Sequence, residues 1–415
     1  MRFWQLYQPE CAAILEDPNH LGRQFVVSKA GYSQSLISIE DASGFLSDWQ
    51  HELKDFQTQK FPTIASLFYL AYEAGTLFEQ LPEPKTKPTG GLIWRHAPEW
   101  SICFAPEEDC IYLSSSISEA QLDTWAARLL AMSHQAMSTR HKIPFETPVK
   151  LNTSYQEAVE KVRAYITAGD IFQANIAQFW QMPFAEDDLL SMYNTLRQVN
   201  PAPFSCFVKA GDVTLISASP ERLFSIDVNH KVSARPIAGT RKRSEGEDDD
   251  RLSAELLLSE KERAEHIMLL DLERNDLGRV CVPGSIHVDE CMVIEKYATV
   301  QHIVSNVSGQ LEQKYHLLDV IKAMFPGGTI TGCPKVRCME IIHELEPVAR
   351  GPYTGGVGYM AWDGSVDMNI LIRTFWHEHE QLYWAAGAGI VADSIPAHEE
   401  VETEHKVAGL IRVFS

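Results

Sequence analysis

The sequence predicts an α+β fold: many antiparallel strands joined by hairpins, with helices set between them. Three observations point there. Asp363-Gly364 is a tight-hairpin signal between two strand-like runs, 357–362 and 366–374. Residues 171–179 alternate, with Gln173, Asn175 and Ala177 on one face and Phe172, Ala174 and Ile176 on the other. Helical apolar spacing occurs in separate segments and does not follow each strand, as it would in repeated βαβ units.

Along the chain, Gln24–Ser28 reads as a short strand, and the apolar segment 64–77 as a core helix. Residues 81–88, with Pro82, Pro84 and Pro88, form a loop. A helix over 121–136 closes this part. The polar run 141–153, with Pro144 and Pro148, separates an N-terminal region (1–145) from a larger unit (150–415). Ser154-Tyr155-Gln156-Glu157 matches a capping box, and Tyr155, Val159, Val162 and Ile166 continue a helical stripe that Gly169-Asp170 ends. Ser259-Glu260-Lys261-Glu262 is a second capping-box match, supporting a helix through Glu265. In the run 366–374, Arg373 falls on the polar face with Asp367 and Asn369. No internal repeat or low-complexity tract is present.

With 36 basic and 56 acidic residues the formal charge is −20. That disfavours non-specific contact with nucleic acid or an anionic membrane, so an anionic substrate needs a local basic pocket or a metal. The opening Met1-Arg2-Phe3-Trp4-Gln5-Leu6 lacks the apolar run of a signal peptide, and no uncharged apolar stretch reaches the ~18 residues of a membrane span. The eight cysteines have no paired C-x-x-C spacing and read as reduced thiols of a cytoplasmic enzyme, Cys333 and Cys338 included.

Two helix-compatible segments each carry glutamates three residues apart, Glu262 with Glu265 and Glu399 with Glu402. Such pairs share a helix face. Two acidic faces that meet would repel and protonate unless a cation offsets them, and Mg²⁺ is suited to one or two carboxylates plus waters and substrate oxygens. Two ordinary solvated acidic faces are the alternative. Lys406, one turn beyond Glu402, suits an anionic substrate or an i,i+4 pair with Glu402. Gly387 and Gly389 either open the backbone to an anion or mark a bulge or turn.

Five segments are more specific: Ser219-Pro220-Glu221-Arg222; Arg235-Pro236-Ile237-Ala238-Gly239-Thr240-Arg241; Asp271-Leu272-Glu273-Arg274-Asn275-Asp276-Leu277-Gly278-Arg279; Pro326-Gly327-Gly328-Thr329-Ile330-Thr331-Gly332-Cys333-Pro334-Lys335; and Ala386-Gly387-Ala388-Gly389-Ile390-Val391-Ala392-Asp393-Ser394. Together they resemble the chorismate-utilising enzymes, over roughly residues 150–415. The resemblance implies a large antiparallel-sheet sandwich flanked by helices, with Mg²⁺ and chorismate in a cleft. It implies Glu265 and Glu402 as metal ligands, with Glu262 and Glu399 behind them. Glu221 resembles the general acid that protonates the departing C4 oxygen, a role that needs a raised pKa. His302 resembles the active-site histidine of the aminating members. Gly239, Thr240 and Thr329 line the cleft. The resemblance further implies that Arg373, Tyr353, Gly387, Gly389 and Lys406 hold the substrate carboxylates, whereas pattern alone makes Arg373 a surface sheet residue. The run from Asp271 to Arg279 reads as a structural ion network with no catalytic step.

Gln173 is informative because the isochorismate and salicylate synthases have a water-activating lysine at this position. A glutamine is not a general base at neutral pH, so ammonia is the expected nucleophile. The sequence has no G-x-C-x-G elbow, which implies a separate glutamine amidotransferase subunit as partner. Asn175, residues 200–205 (Asn-Pro-Ala-Pro-Phe-Ser) and the lack of a Leu-Leu-Glu-Ser element resemble aminodeoxychorismate synthase component I, which acts in 4-aminobenzoate and folate biosynthesis. Ala238, where that branch has a nucleophilic lysine, resembles anthranilate synthase component I instead. A silent amidotransferase-binding scaffold is a third reading, opposed by intact Glu221, Glu265 and Glu402.

Overall fold

Strand segments of this chain close into two large sheets. In the computed structural model, residues 10–17, 23–60, 62–115, 123, 127, 143–152, 154–243, 246–296 and 300–415 are described. Among them, one sheet has 11 strands and the other 10, counting one branch strand in each: Val149–Lys150 pairs with Gln173–Pro183 in the first, and His287–Lys296 with Val300–Gln310 in the second. The first runs in the order Gly332–Cys333, Gln173–Pro183, Gln381–Ile390, Thr374–Glu378, Val213–Ser219, Phe204–Ala210, Cys11–Glu16, Gln24–Ser28, Trp100–Ala105, Cys110–Ser115. The second runs Ile237–Lys242, Val300–Gln310, Lys231–Ala234, Arg222–Ile226, Val366–Asn369, Gly356–Ala361, Ile64–Leu70, Ile93–Pro98, Gly31–Leu36. Strands from before residue 116 and after residue 148 therefore share both sheets. The α+β expectation holds, as does the antiparallel sandwich.

The inner faces bury a common core. Phe25, Cys206 and Leu215 of the first sheet meet Leu67, Trp94 and Tyr359 of the second, with the Phe25 and Tyr359 rings 5.2 Å apart. Helices cover the outer faces. Leu189–Val199 packs Leu189, Met192, Tyr193 and Leu196 against the first sheet. Tyr155–Ala168 packs Tyr155, Val159 and Val162 into the other large core, as its stripe predicts.

Two of the chain's crossings between the sheets lie side by side. In one, the chain leaves Val213–Ser219 and enters Arg222–Ile226 through Pro220 and Glu221. In the other, it leaves Val366–Asn369 and enters Thr374–Glu378 through residues 370–373. The crossovers tie to each other. Ile370 N–H donates to Glu221 O (3.1 Å), Ala218 N–H to Arg373 O (3.1 Å) and Ser219 Oγ to Ile370 O (2.5 Å).

Four expectations need correction. Residues 64–77 form the strand Ile64–Leu70 and a 3₁₀ turn, Tyr72–Leu77, in place of a helix. That strand is interior to its sheet and covered on both faces, so it reads as a continuous apolar run, which periodicity cannot distinguish from a buried helix. The hairpin at Asp363-Gly364 is present, but its second strand ends at Asn369, because the chain must change sheets there. Arg373 sits in that crossover at φ +50°, a left-handed conformation unfavourable for a non-glycine residue, and not on a sheet face. Ser154 makes no side-chain cap, whereas Ser259 Oγ accepts from Glu262 N–H (3.3 Å). The expected helix over 121–136 falls mostly outside the described residues.

One buried ion pair knits distant segments behind the site. Arg350, 1% exposed, pairs with Glu346 through Nη2–Oε1 (2.7 Å) and Nε–Oε2 (2.8 Å), and donates to Asn175 O (2.7 Å) and Ile330 O (2.9 Å). Glu346 also accepts from Ala177 N–H (3.0 Å), and Glu73 takes Arg350 N–H and Gly351 N–H (2.6 and 3.0 Å). Burial pushes the Glu73 carboxyl up to about 7, against these hydrogen bonds. Removing one partner of a buried pair leaves the other charge uncompensated. Arg350→Leu is expected to lower stability by about 3–5 kcal/mol in urea denaturation; a loss within ~0.5 kcal/mol would show that the pair does not hold these segments.

Candidate active site

The paired crossovers set one group of side chains. Glu221 is buried, and its Oε1 accepts from Thr329 Oγ1 at 2.7 Å. Its backbone N–H donates to Ser219 Oγ at 3.3 Å. Burial pushes the Glu221 carboxyl up to about 7, opposed by the Thr329 hydroxyl and the Arg373 charge. A group at that value is about half protonated at pH 7 and can donate that proton. Arg373 faces Glu221 from the second crossover, and its burial favours loss of charge while Glu221 opposes this.

His302 lies on Val300–Gln310, opposite Thr240, with Nδ1 3.3 Å from Gly239 O. Burial lowers its pKa, against the Gly239 carbonyl, so the ring is neutral at pH 7. Ala238 is buried one position away, opposite Ile303. The Thr240 side chain lies outside the described residues. At Gly239, φ is +63° and an added Cβ would meet Glu262 Oε2 at 2.8 Å, so the helix Glu260–Gly278 approaches closely here.

A second group forms on the strand Gln173–Pro183 and its neighbour Gln381–Ile390. Gln173 Nε2 donates to Glu265 Oε1 at 3.1 Å, and Gln173 Oε1 has no protein partner. Gly389 pairs with Asn175 and Gly387 with Ala177 across the ladder. A Cβ at Gly389 would lie 2.4 Å from Gln173 Nε2; at Gly387 it would lie 2.4 Å from Asn175 Oδ1 and 2.8 Å from the Tyr353 hydroxyl. Gly387 is required by this close approach, since a Cβ there would also meet the Ile176 carbonyl at 2.9 Å; at Gly389 the Cβ would displace only the end of the Gln173 side chain. The Gly387 amide hydrogen-bonds the Tyr353 hydroxyl, whose own pKa is raised by burial. Lys406 Nζ sits 2.9 Å from Gly387 O and 2.8 Å from Glu402 Oε1, so the i,i+4 pair forms while the amine still reaches the glycine strand.

One helix links the two groups. Along Glu260–Gly278, Glu262 stands by Gly239, Glu265 by Gln173, and Leu272 so close to Gly328 that a Cβ there would meet it at 2.2 Å. Gln173 and Glu265 line a cleft of about 1100 Å³, with Leu272, Asp276 and Lys335 further along its wall.

The donor chemistry near the cleft is carboxylate. Glu262 also pairs with Arg241 Nη1 (3.3 Å), Glu265 takes Gln173, and Glu402 takes Lys406. Glu399 and Glu402 both act electrostatically on buried Tyr155. No three His, Cys, Asp or Glu side chains converge among the described residues. Carboxylate oxygens suit a hard cation that keeps water and substrate oxygens, and not a four-ligand site of the structural zinc kind.

Three contributors carried no site assignment in the sequence reading: Ser219, which orients the Glu221 backbone; Asn175, whose buried Oδ1 has no protein partner; and Arg350, which holds the Asn175 carbonyl. Ser219 and Asn175 adjoin recognised motifs, which is a usable signal. Arg350 stands in a turn with none.

The comparisons follow this geometry. The profile of the chorismate binding enzyme family matches residues 11–412. The chain belongs to that family. Aminodeoxychorismate synthase component 1 of Bacillus subtilis is 39% identical over 90% of this chain and 76% of its own. Anthranilate synthase component 1 of Saccharolobus solfataricus is likewise 39% identical, over 96% of this chain and 92% of its own. The crystal structure of anthranilate synthase component I from Streptococcus pneumoniae superposes with a TM-score of 0.79 at 28% identity, covering 96% of this chain and 89% of that one. The chain is thus equally identical to the Bacillus subtilis and Saccharolobus solfataricus relatives, which carry different names. Among the described residues, no helix is long and apolar enough to cross a membrane.

In Gly387→Ala, the new Cβ would also sit 2.9 Å from Ile176 O, backbone that cannot swing aside. The variant is expected to lose ~100-fold in kcat/KM for chorismate through displacement of Asn175 and Tyr353. Parental kcat/KM would remove the glycine strand from the site.

Proposed function

We propose that this chain aminates chorismate at C4 to 4-amino-4-deoxychorismate, using ammonia from a glutamine amidotransferase partner. The observation that carries amination is Gln173. It occupies the cleft wall with its amide bonded to Glu265 and has no titratable group with which to activate water. Glu221 is buried as a carboxylic acid beside Thr329 and protonates the C4 oxygen as its bond to carbon breaks. Neutral His302 and the Arg373 guanidinium flank that acid, where a carboxylate-bearing ring would be oriented. Tyr353, Gly387, Gly389 and Lys406 form a second polar wall for the other carboxylate. Mg²⁺ would be held by Glu265 and Glu402, with Glu262 and Glu399 nearby, and would neutralise substrate carboxylate charge when bound. The eight cysteines are free thiols, consistent with work in the cytoplasm.

Support for the C4 branch is Asn175, half-buried, whose Oδ1 lies against Gly387 and has no protein partner. Ala238 favours a second reading, anthranilate synthase: its methyl beside His302 offers no nucleophile for a covalent step at C2. Incubation with chorismate, Mg²⁺ and ammonium, followed by chromatography with and without a lyase that releases 4-aminobenzoate, separates them. Fluorescent anthranilate formed without the lyase would overturn the C4 assignment. Full activity in excess EDTA would remove the metal from the scheme.

Two further outcomes follow from Glu221. Glu221→Gln cannot donate the proton and is expected to bind chorismate while kcat falls about 10²–10⁴-fold. The acid acts only when protonated, and its pKa is raised to about 7, so kcat/KM should hold below pH 7 and decline as pH rises through that value. A profile flat from pH 6 to 9 would exclude Glu221 as the acid.

A further inference from the structure

Three buried hydroxyl groups meet where the chain changes sheets. Ser217 and Ser219 end the strand Val213–Ser219, Thr374 begins Thr374–Glu378, and none of the three is more than 1% exposed. Ser217 and Thr374 are partners in the ladder between these strands. Thr374 Oγ1 donates to Ile372 O (2.9 Å), and Ser217 Oγ lies 2.8 Å from Thr374 Oγ1. Ser219 N–H donates to Ser217 Oγ (3.2 Å). Ser219 Oγ donates to Ile370 O (2.5 Å) and accepts from Glu221 N–H (3.3 Å).

A hydroxyl has one proton to give, so the direction of each bond is set. A carbonyl only accepts, so the Thr374 proton goes to Ile372 O. The proton between Ser217 and Thr374 then comes from Ser217, whose oxygen is left to accept from Ser219 N–H. The Ser219 proton goes to Ile370 O, and its oxygen takes Glu221 N–H. The network therefore runs from the peptide that joins Ile372 to Arg373, through Ser217, to the amide of Glu221. Its backbone members lie outside the sheet ladders, where a buried group without a partner is costly.

We propose that Ser217, Ser219 and Thr374 are positioning residues for the reaction, one directed hydroxyl network that sets where Glu221 stands relative to Arg373; this rests on Glu221 being the acid and Arg373 a carboxylate ligand. The two ends have different effects. Ser219 holds the peptide of the acid and so bears on proton donation. Thr374 holds the peptide before Arg373, whose φ of +50° persists only where its surroundings fix it, and so bears on substrate binding. Ser217 couples the two.

The test uses the full chain and follows loss of chorismate with Mg²⁺ and ammonium, so that the readout is independent of product. Ser219→Ala is expected to lower kcat about tenfold with little change in KM, because a reacting group displaced by ~1 Å can cost on the order of 10²-fold in rate. Thr374→Val keeps the side-chain shape and removes the hydroxyl; it is expected to raise KM for chorismate about tenfold with a smaller effect on kcat. Thr374→Ser returns the hydroxyl and should restore the parental KM. Ser217→Ala should change both constants. Parental constants in Ser219→Ala and Thr374→Val would overturn the proposal. So would losses that follow only the melting temperatures of the variants, or a KM in Thr374→Ser as high as in Thr374→Val, which is what a packing role would give. A second measurement needs no turnover: hydrogen–deuterium exchange in peptides covering 217–223 and 370–376. Ser217→Ala should speed exchange in both, and exchange unchanged from the parent would overturn the proposal. If the parent chain failed to consume chorismate, the reaction assignment would fall, and exchange would still decide whether the hydroxyls hold the two crossovers.

Discussion

The site depends on the chain passing twice between its sheets at one place. A crossover takes backbone out of both ladders, so its N–H and C=O groups need other partners, and an unpaired buried group is costly. Here the two crossovers satisfy each other, through Ile370 to Glu221, Ala218 to Arg373 and Ser219 to Ile370. That mutual pairing forces Glu221 and Arg373 together. It also explains how Arg373 persists at positive φ: the surrounding hydrogen bonds over-determine a conformation that a free chain would avoid.

From that constraint the electrostatics follow. The junction is enclosed by the sheets and by the helix Glu260–Gly278, so carboxyl groups placed there are desolvated. Glu221 and Glu273 both shift upward for this reason, and the nearby cations Arg373 and Lys335 moderate the shifts without cancelling them. The outer part of the same helix behaves differently. Asp271 and Arg274 form an exposed i,i+3 pair of small energetic weight, while Glu262 and Glu265 turn toward Gly239 and Gln173. One helix thus carries a solvated face, a cation-suited face and a buried acid.

The chorismate binding enzyme family includes relatives named for different reactions, and fold alone does not choose among them. Under the proposed function, that choice falls to a few positions on a common frame. Gln173 and Asn175 lie on one strand face and reach over the paired glycines of the next strand. Ala238 lies across the site beside His302. Aminodeoxychorismate synthase component 1 of Bacillus subtilis and anthranilate synthase component 1 of Saccharolobus solfataricus are both 39% identical to this chain.

The sequence by itself determined the features that depend on near neighbours. The hairpin at Asp363-Gly364, the helix from Tyr155 ended by Gly169, the Ser259 cap and the shared face of Glu262 and Glu265 all follow from residues within a few positions of one another. Motif resemblance added Glu221, His302, Thr329 and Arg373, and the structure brings these four together. Other features had no local signature. The run 64–70 is a strand because sheet neighbours cover both of its faces, and the strand after Val366 ends at Asn369 because the chain changes sheets. Arg350 finds its partners near residues 73, 175 and 330, and Glu273 is buried by elements distant in sequence. Only the tertiary structure decides these, because desolvation, strand coverage and buried pairing are set by what packs against a residue, whereas a sequence pattern records only what precedes and follows it.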